Sequence, residues 1–313
     1  MRKEALAKPH CLLLQAVFIF FSILFLAACP SFGGELAAKA PVKVVCSIEP
    51  LRFFVSEIGG PLVEAEVMVP PGASPATYEP RPRQMAALAG AKIYFASGVP
   101  FEQAWLDRFR GQNPSLKIVD VNQGIRLLPM DHKHSKAPEK GRENLDPHTW
   151  LSPPLALLIA RNIFAALYEA LPGMGQQLSE RYAALAERIA RLDGQIMEIL
   201  AGIPPEFRVL PTFHPAWGYF ARAYGFRQIP VEMEGKEPSP RQLDALSRRL
   251  KAIGAHFILV QPQFSQRSAR ALASMCGLRL ITADPLSSSW DEGLLKLART
   301  VSALSERGEN KKK

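Results

Sequence analysis

The chain has 313 residues, of which 48% are hydrophobic, and a formal charge of +9. That length accommodates two domains of ordinary size. The excess of Lys and Arg does not make a nucleic-acid surface. It is scattered or gathered in the tail Lys311-Lys312-Lys313, with no basic stripe interleaved with aromatics, and a basic surface near an anionic membrane is the milder reading.

The first 28 residues read as a leader rather than as part of a fold. Arg2, Lys3 and Lys8 open the chain, and an apolar run follows from Cys11 to Ala28, ending in Leu26-Ala27-Ala28-Cys29. This is the layout of an export signal. The Leu-Ala-Ala-Cys ending resembles a bacterial lipobox, in which Cys29 is lipidated and becomes the new N-terminus. Ordinary cleavage near Gly34 and a retained anchor are the alternatives, and all three place the remaining chain outside the cytoplasm. Two further cysteines, Cys46 and Cys276, stand in apolar contexts and read as buried free thiols.

Beyond the leader, short apolar runs alternate with amphipathic stretches. Strands are predicted over 42–46, 64–69, 92–96 and 116–121, and helices near 51–58, 83–89 and 101–110. The pattern returns after residue 205, with strands over 208–210, 227–231, 256–261 and 278–282 and helices near 216–224, 240–253, 265–276 and 290–304. Strands alternating with helices imply parallel βαβ units. Between the halves, Leu178, Tyr182, Leu185, Ile189, Leu192, Ile196 and Ile199 mark one apolar face of a helix over 175–201. It is read as a stiff connector packing across both halves rather than as a dimerising coiled coil. The polar, turn-rich segment 128–144, with His132 and His134, reads as an exposed mobile loop.

The expected fold is therefore α/β, with two lobes, each a four-stranded mostly parallel sheet flanked by helices, joined by one long helix. The expected organisation is a leader over 1–28, a first lobe over 29–172, the linker helix over 173–205 and a second lobe over 206–313. In such sheets ligands bind outside the carboxyl ends of the strands. His214 follows the 208–210 strand, Asp284 follows the 278–282 strand, and His148 lies beyond the 116–121 strand. Two imidazoles and a carboxylate suit a borderline divalent metal, so the three are candidate ligands in a cleft between the halves. Taken singly, His-Pro and Asp-Pro are more often turns or helix caps.

The chain resembles the metal-binding lipoproteins that feed zinc or manganese ABC transporters, the cluster A-I solute-binding proteins, over nearly the whole part after the leader. Six ordered motifs carry the resemblance. They are Pro70-Pro71-Gly72-Ala73-Ser74-Pro75 with Tyr78-Glu79-Pro80, Asp146-Pro147-His148-Thr149-Trp150-Leu151, Phe213-His214-Pro215-Ala216-Trp217-Gly218-Tyr219-Phe220, Glu234-Gly235-Lys236-Glu237-Pro238-Ser239, Gln261-Pro262-Gln263-Phe264-Ser265 and Asp284-Pro285-Leu286. The resemblance implies two α/β lobes on one long helix and a monomer at the periplasm or cell surface. It also implies a metal ion carried in the cleft to a permease and its ATPase. Three of the four family ligand positions carry over as His148, His214 and Asp284. A histidine at the third position resembles the zinc-type members, which makes Zn²⁺ the expected cargo and Mn²⁺ the alternative.

The first ligand position departs from the family pattern, because Ala76 stands where the family has histidine. A water can fill the fourth place, as in three-ligand zinc sites; His132 or His134 can swing in; Glu79 or another nearby oxygen can substitute; or the site binds metal poorly or takes another ligand. Two other functions compete: a zinc hydrolase, which needs a general base within reach of the bound water, and a cell-surface adhesin with a degenerate site.

Overall fold

The computed structural model describes residues 40–130, 145–231, 239–264 and 266–309. The leader with Cys29, the loop histidines His132 and His134, and the Glu234-Gly235-Lys236-Glu237-Pro238 motif lie outside the described residues. Among the described residues no helix is long and apolar enough to cross a membrane.

Two parallel sheets form the frame. β1 (Val42–Cys46), β2 (Val63–Val67), β3 (Ile93–Ala96) and β4 (Lys117–Asp120) pair in the order β2-β1-β3-β4. β5 (Val209–Thr212), β6 (Arg227–Pro230), β7 (Phe257–Val260) and β8 (Arg279–Thr282) repeat it as β6-β5-β7-β8. In each sheet the winding reverses between the first and third strands of the half, which opens a crevice at their carboxyl ends. All eight predicted strands are present, with ends displaced by at most two residues.

The first sheet is wound by α1 (Glu49–Gly59), α2 (Pro82–Ala89) and α3 (Pro100–Gln112), each with a proline in its first two positions. There the ring presets the helical φ and its missing N–H costs nothing. A helix that the sequence reading does not assign follows, α4 (Pro153–Ala170). Its run Pro153-Pro154-Leu155-Ala156-Leu157-Leu158-Ile159-Ala160 is apolar nearly all round, so it shows little amphipathic contrast. Burial explains it: α4 packs on α1 and on α5 (Gly175–Ala201). The second sheet carries α6 (Gly218–Ala223), α7 (Pro240–Ala252), α8 (Gln266–Cys276) and α9 (Trp290–Glu309).

α5 has the predicted 27 residues, about 40 Å at 1.5 Å per residue. Its face Leu178, Leu185, Ile189, Leu192 and Ile196 is buried within the chain against α1, α4 and α9. One continuous core joins Val45 and Phe95 of the first sheet to Leu210 and Leu259 of the second. A separate core of Phe213, Ile229, Ile258 and Leu272 includes residues of β6, β7 and α8. The described residues from Pro41 onward form one compact unit.

The two halves are tied by a crossed pair of tryptophans. Trp150 Nε1 donates to Pro285 O at 2.8 Å, and Trp290 Nε1 donates to Trp150 O at 2.7 Å. Both rings are buried, where an unpaired indole N–H is costly. Arg188 of α5 bridges Asp291 at 2.5 Å and Glu57 at 3.4 Å. Cys46 and Cys276 are both free; Cys46 is buried, as expected, but Cys276 is only half-buried and its thiol contacts Ser247 Oγ at 3.1 Å. Burial pushes the Cys46 thiol far above its ordinary value, so it is inert.

Candidate functional site

The two sheets open on a narrow cleft with room for about 60 Å³. Its walls are mainly apolar: Pro75, Ala76, Val99, Pro100 and Met130 from the first half face Phe264, Pro285 and Leu286 from the second. His148, His214 and Gln263 are polar groups on this lining.

Each half brings a strand-end pair to its switch point. In the first, Ser47 follows β1 and Ser97 follows β3, and their hydroxyls meet at 2.8 Å, buried. In the second, the pair is His214 and Gln261. The Gln261 amide accepts from His214 N at 3.2 Å and donates to His214 O at 2.9 Å, fixing the backbone at both polar groups. The His214 ring stacks on Phe264 with centroids 4.7 Å apart.

His148 is held through its ring. It heads a short 3₁₀ turn over Thr149–Leu151. Asp146 Oδ1 accepts from His148 N at 2.9 Å and from Nδ1 at 2.7 Å. An ionised carboxylate only accepts, so Nδ1 carries the proton and Nε2 keeps its lone pair. This is the arrangement that orients a metal-binding imidazole and raises its basicity. Tyr219 OH donates to Asp146 O at 2.9 Å and accepts from Leu128 N at 2.9 Å. Burial pushes the Tyr219 phenol up to about 12, which keeps its donating proton in place. A Cβ at Gly218 would stand 2.9 Å from Asp146 Oδ2, so the glycine of the second-half motif admits the carboxylate of the first. Thr149 Oγ1 donates to Asn122 Oδ1 at 2.6 Å, and Asn122 Nδ2 donates to Ser97 O at 2.7 Å, linking the His148 turn to the end of β3.

The His148 and His214 rings meet edge to face, with centroids 5.3 Å apart and planes at 72°. Ala76 lines the same cleft and offers no side-chain donor. Its loop is held by Tyr78 OH, which donates to Gln84 Oε1 at 2.6 Å, while Glu79 is exposed and not part of the lining. Asp284, two residues beyond β8, accepts from Gln263 Nε2 at 2.7 Å and from Leu286 N at 2.9 Å, both at Oδ1. The two imidazoles are therefore brought together, whereas Asp284 is not gathered with them. Among the described residues no three His, Cys, Asp or Glu side chains converge closely enough to hold a metal.

A carboxylate next to the cleft wall has shifted chemistry. Glu102, in the first turn of α3, accepts from Ser97 N at 3.1 Å and Gly98 N at 2.7 Å, just before Val99 and Pro100. Burial lifts its pKa to about 7, against the opposing pull of those bonds. Sequence reasoning gave no role to Glu102, Tyr219, Gln261 or Gln263, and treated Asp146 as a turn residue. The last four lie inside the quoted motifs, but only a fold shows which side chains they clamp.

Two parallel α/β lobes closing on a cleft with paired imidazoles define a solute-binding protein of the metal-binding type. The model of the family described as zinc-uptake complex component A, periplasmic, matches residues 44–304, and the chain belongs to that family. It is 35% identical to a protein of known crystal structure, ZnuA, covering 85% of this chain and 99% of that one with a TM-score of 0.78. It is 26% identical over 270 residues to the iron ABC transporter substrate-binding lipoprotein MtsA of Streptococcus pyogenes serotype M1, covering 83% of this chain and 84% of the relative. It is 24% identical over 289 residues to the manganese ABC transporter substrate-binding lipoprotein PsaA of Streptococcus mitis, covering 88% and 91%.

Proposed function

We propose that the chain captures a divalent metal in this cleft as the substrate-binding component of a metal ABC transporter, and that the ion is zinc. The observation that carries this is the edge-to-face pair His148 and His214, with the His148 tautomer set by Asp146. Imidazole suits zinc, and Asp284 supplies the third donor through Oδ2, which its bonds from Gln263 and Leu286 leave open, as its loop moves toward the rings. Mn²⁺ is the competing cargo, because carboxylate oxygen suits it and a manganese transporter protein is among the relatives. The chain binds without turnover and hands the ion to a permease and its ATPase.

The crossed tryptophans and the long α5 oppose hinge opening, so loading and release are local events at His214 and Asp284. Cys29 carries the lipid that holds the protein at the membrane, in the periplasm or at the cell surface. A monomer is supported by α5, whose apolar face is spent within its own chain.

The test is calorimetric titration of the protein lacking its leader with Zn²⁺ and Mn²⁺. The expected result is saturable binding of one ion per chain, tighter than micromolar, with Zn²⁺ preferred. Absence of any such binding would sink the reading, and a preference for Mn²⁺ would replace the cargo. Ala76→His, which restores the family's first ligand, should tighten Zn²⁺ binding.

A further inference from the structure

Ala76 leaves the proposed donor set one short, and the cleft contains a group able to supply the missing atom. Gln263 lines the cleft with His148 and His214. Its Nε2 donates to Asp284 Oδ1 at 2.7 Å. Because the carboxylate only accepts, this bond decides which end of the amide is which, and the remaining end is the carbonyl oxygen. Gln263 Oε1 is buried and has no hydrogen-bond partner among the described residues. Leaving a buried acceptor unpaired costs about 1–3 kcal/mol, and such groups are rare enough in native folds to call for a reason.

We propose that Gln263 Oε1 is the fourth donor to the metal, standing in for the imidazole that Ala76 lacks. This rests on the metal-cleft reading above. Asp284 takes both of its bonds at Oδ1, so Oδ2 is left for the ion. Two oxygens then come from side chains already bonded to each other, and two nitrogens come from His148 and His214. The amide donates its proton to Asp284 while its oxygen faces the cation, so no charge is added to the site. Exchanging an imidazole for a carbonyl oxygen moves the set toward harder ions, since carbonyl and carboxylate oxygens suit manganese and imidazole suits zinc. The residue therefore narrows the preference for Zn²⁺ over Mn²⁺.

The experiment measures Zn²⁺ and Mn²⁺ affinities by calorimetry for the wild type, Gln263→Ala, Asp284→Ala, the double variant and His148→Ala. Gln263→Ala should weaken Mn²⁺ binding about tenfold or more and Zn²⁺ binding by less, in line with the donor preferences of the two ions. A direct donor acts without Asp284, so the same loss should recur in the Asp284→Ala background. Loss in the single variant but none in that background would make Gln263 a positioning residue for Asp284 and overturn the proposal, as would unchanged affinity in the single variant. Should circular dichroism show Gln263→Ala to be unfolded, Gln263→Met keeps the volume without the oxygen; wild-type Mn²⁺ affinity in that variant overturns the proposal and a matching loss supports it. Wild-type affinity in His148→Ala would instead remove the cleft reading itself, an outcome distinct from any result with Gln263.

Discussion

The two halves repeat one topology and use its switch point differently. In the first, the residues after β1 and β3 are Ser47 and Ser97, whose hydroxyls satisfy each other in the interior. In the second, the corresponding places give Phe213 and Gln261, and the Gln261 amide grips the backbone of His214, one residue further on. The first half sends its histidine from beyond β4 and fixes that ring through Asp146. The same crevice is thus closed by a neutral pair in one half and given a histidine in the other.

The largest effect that would break this comparison comes from the rings themselves. His148→Ala and His214→Ala should each lower metal affinity by more than about 100-fold, beyond the ~10–100-fold typical of outer partners; calorimetry reads it, and wild-type affinity in either variant would take that ring out of the site. Next is a proton effect confined to the first half. Burial lifts Glu102 from 4.5 to about 7, so the fold holds a proton that the unfolded chain releases. Stability from this group is complete below pH 4.5 and lost as pH rises through 7, roughly 3 kcal/mol in all by linkage. Glu102→Gln should flatten the wild-type decline in Tm between those limits, and an unchanged slope would show that the carboxyl does not titrate there.

Two smaller effects sharpen the contrast between the clamps. Asp146→Asn should cost about 10–100-fold in metal affinity with little change in Tm, because it frees the ring and its tautomer. Gln261→Ala should do the reverse, lowering stability by about 1–3 kcal/mol through the unpaired His214 backbone, with a lesser change in affinity. Thermal denaturation and titration of both variants decide it. Equal profiles would mean that the two histidines are held in the same way.

Much of the frame was legible because its signals are local. Short apolar runs alternating with amphipathic stretches marked β1 to β8, and a four-three apolar spacing marked α5 from Gly175 to Ala201. α4 escaped because its apolar residues surround the helix, leaving periodicity nothing to detect. At the site, His148 and His214 were readable from residue type and their place after strands, and they do meet. The state of Asp284 was not readable, since its bonds to Gln263 and Leu286 depend on where β7 and β8 deliver their loops.

Residue types and their order along the chain therefore determined the two βα halves, the helix between them and the kinds of donor on offer. Tertiary structure alone decided which groups serve those donors. The partners of His148, His214 and Asp284 are chosen by contacts at 3 Å, and a hydrogen bond of that length depends on how strand ends from distant segments are packed, which local pattern does not encode. Asp146 at His148, Gln261 at His214, and the Trp150–Trp290 seam are of this kind.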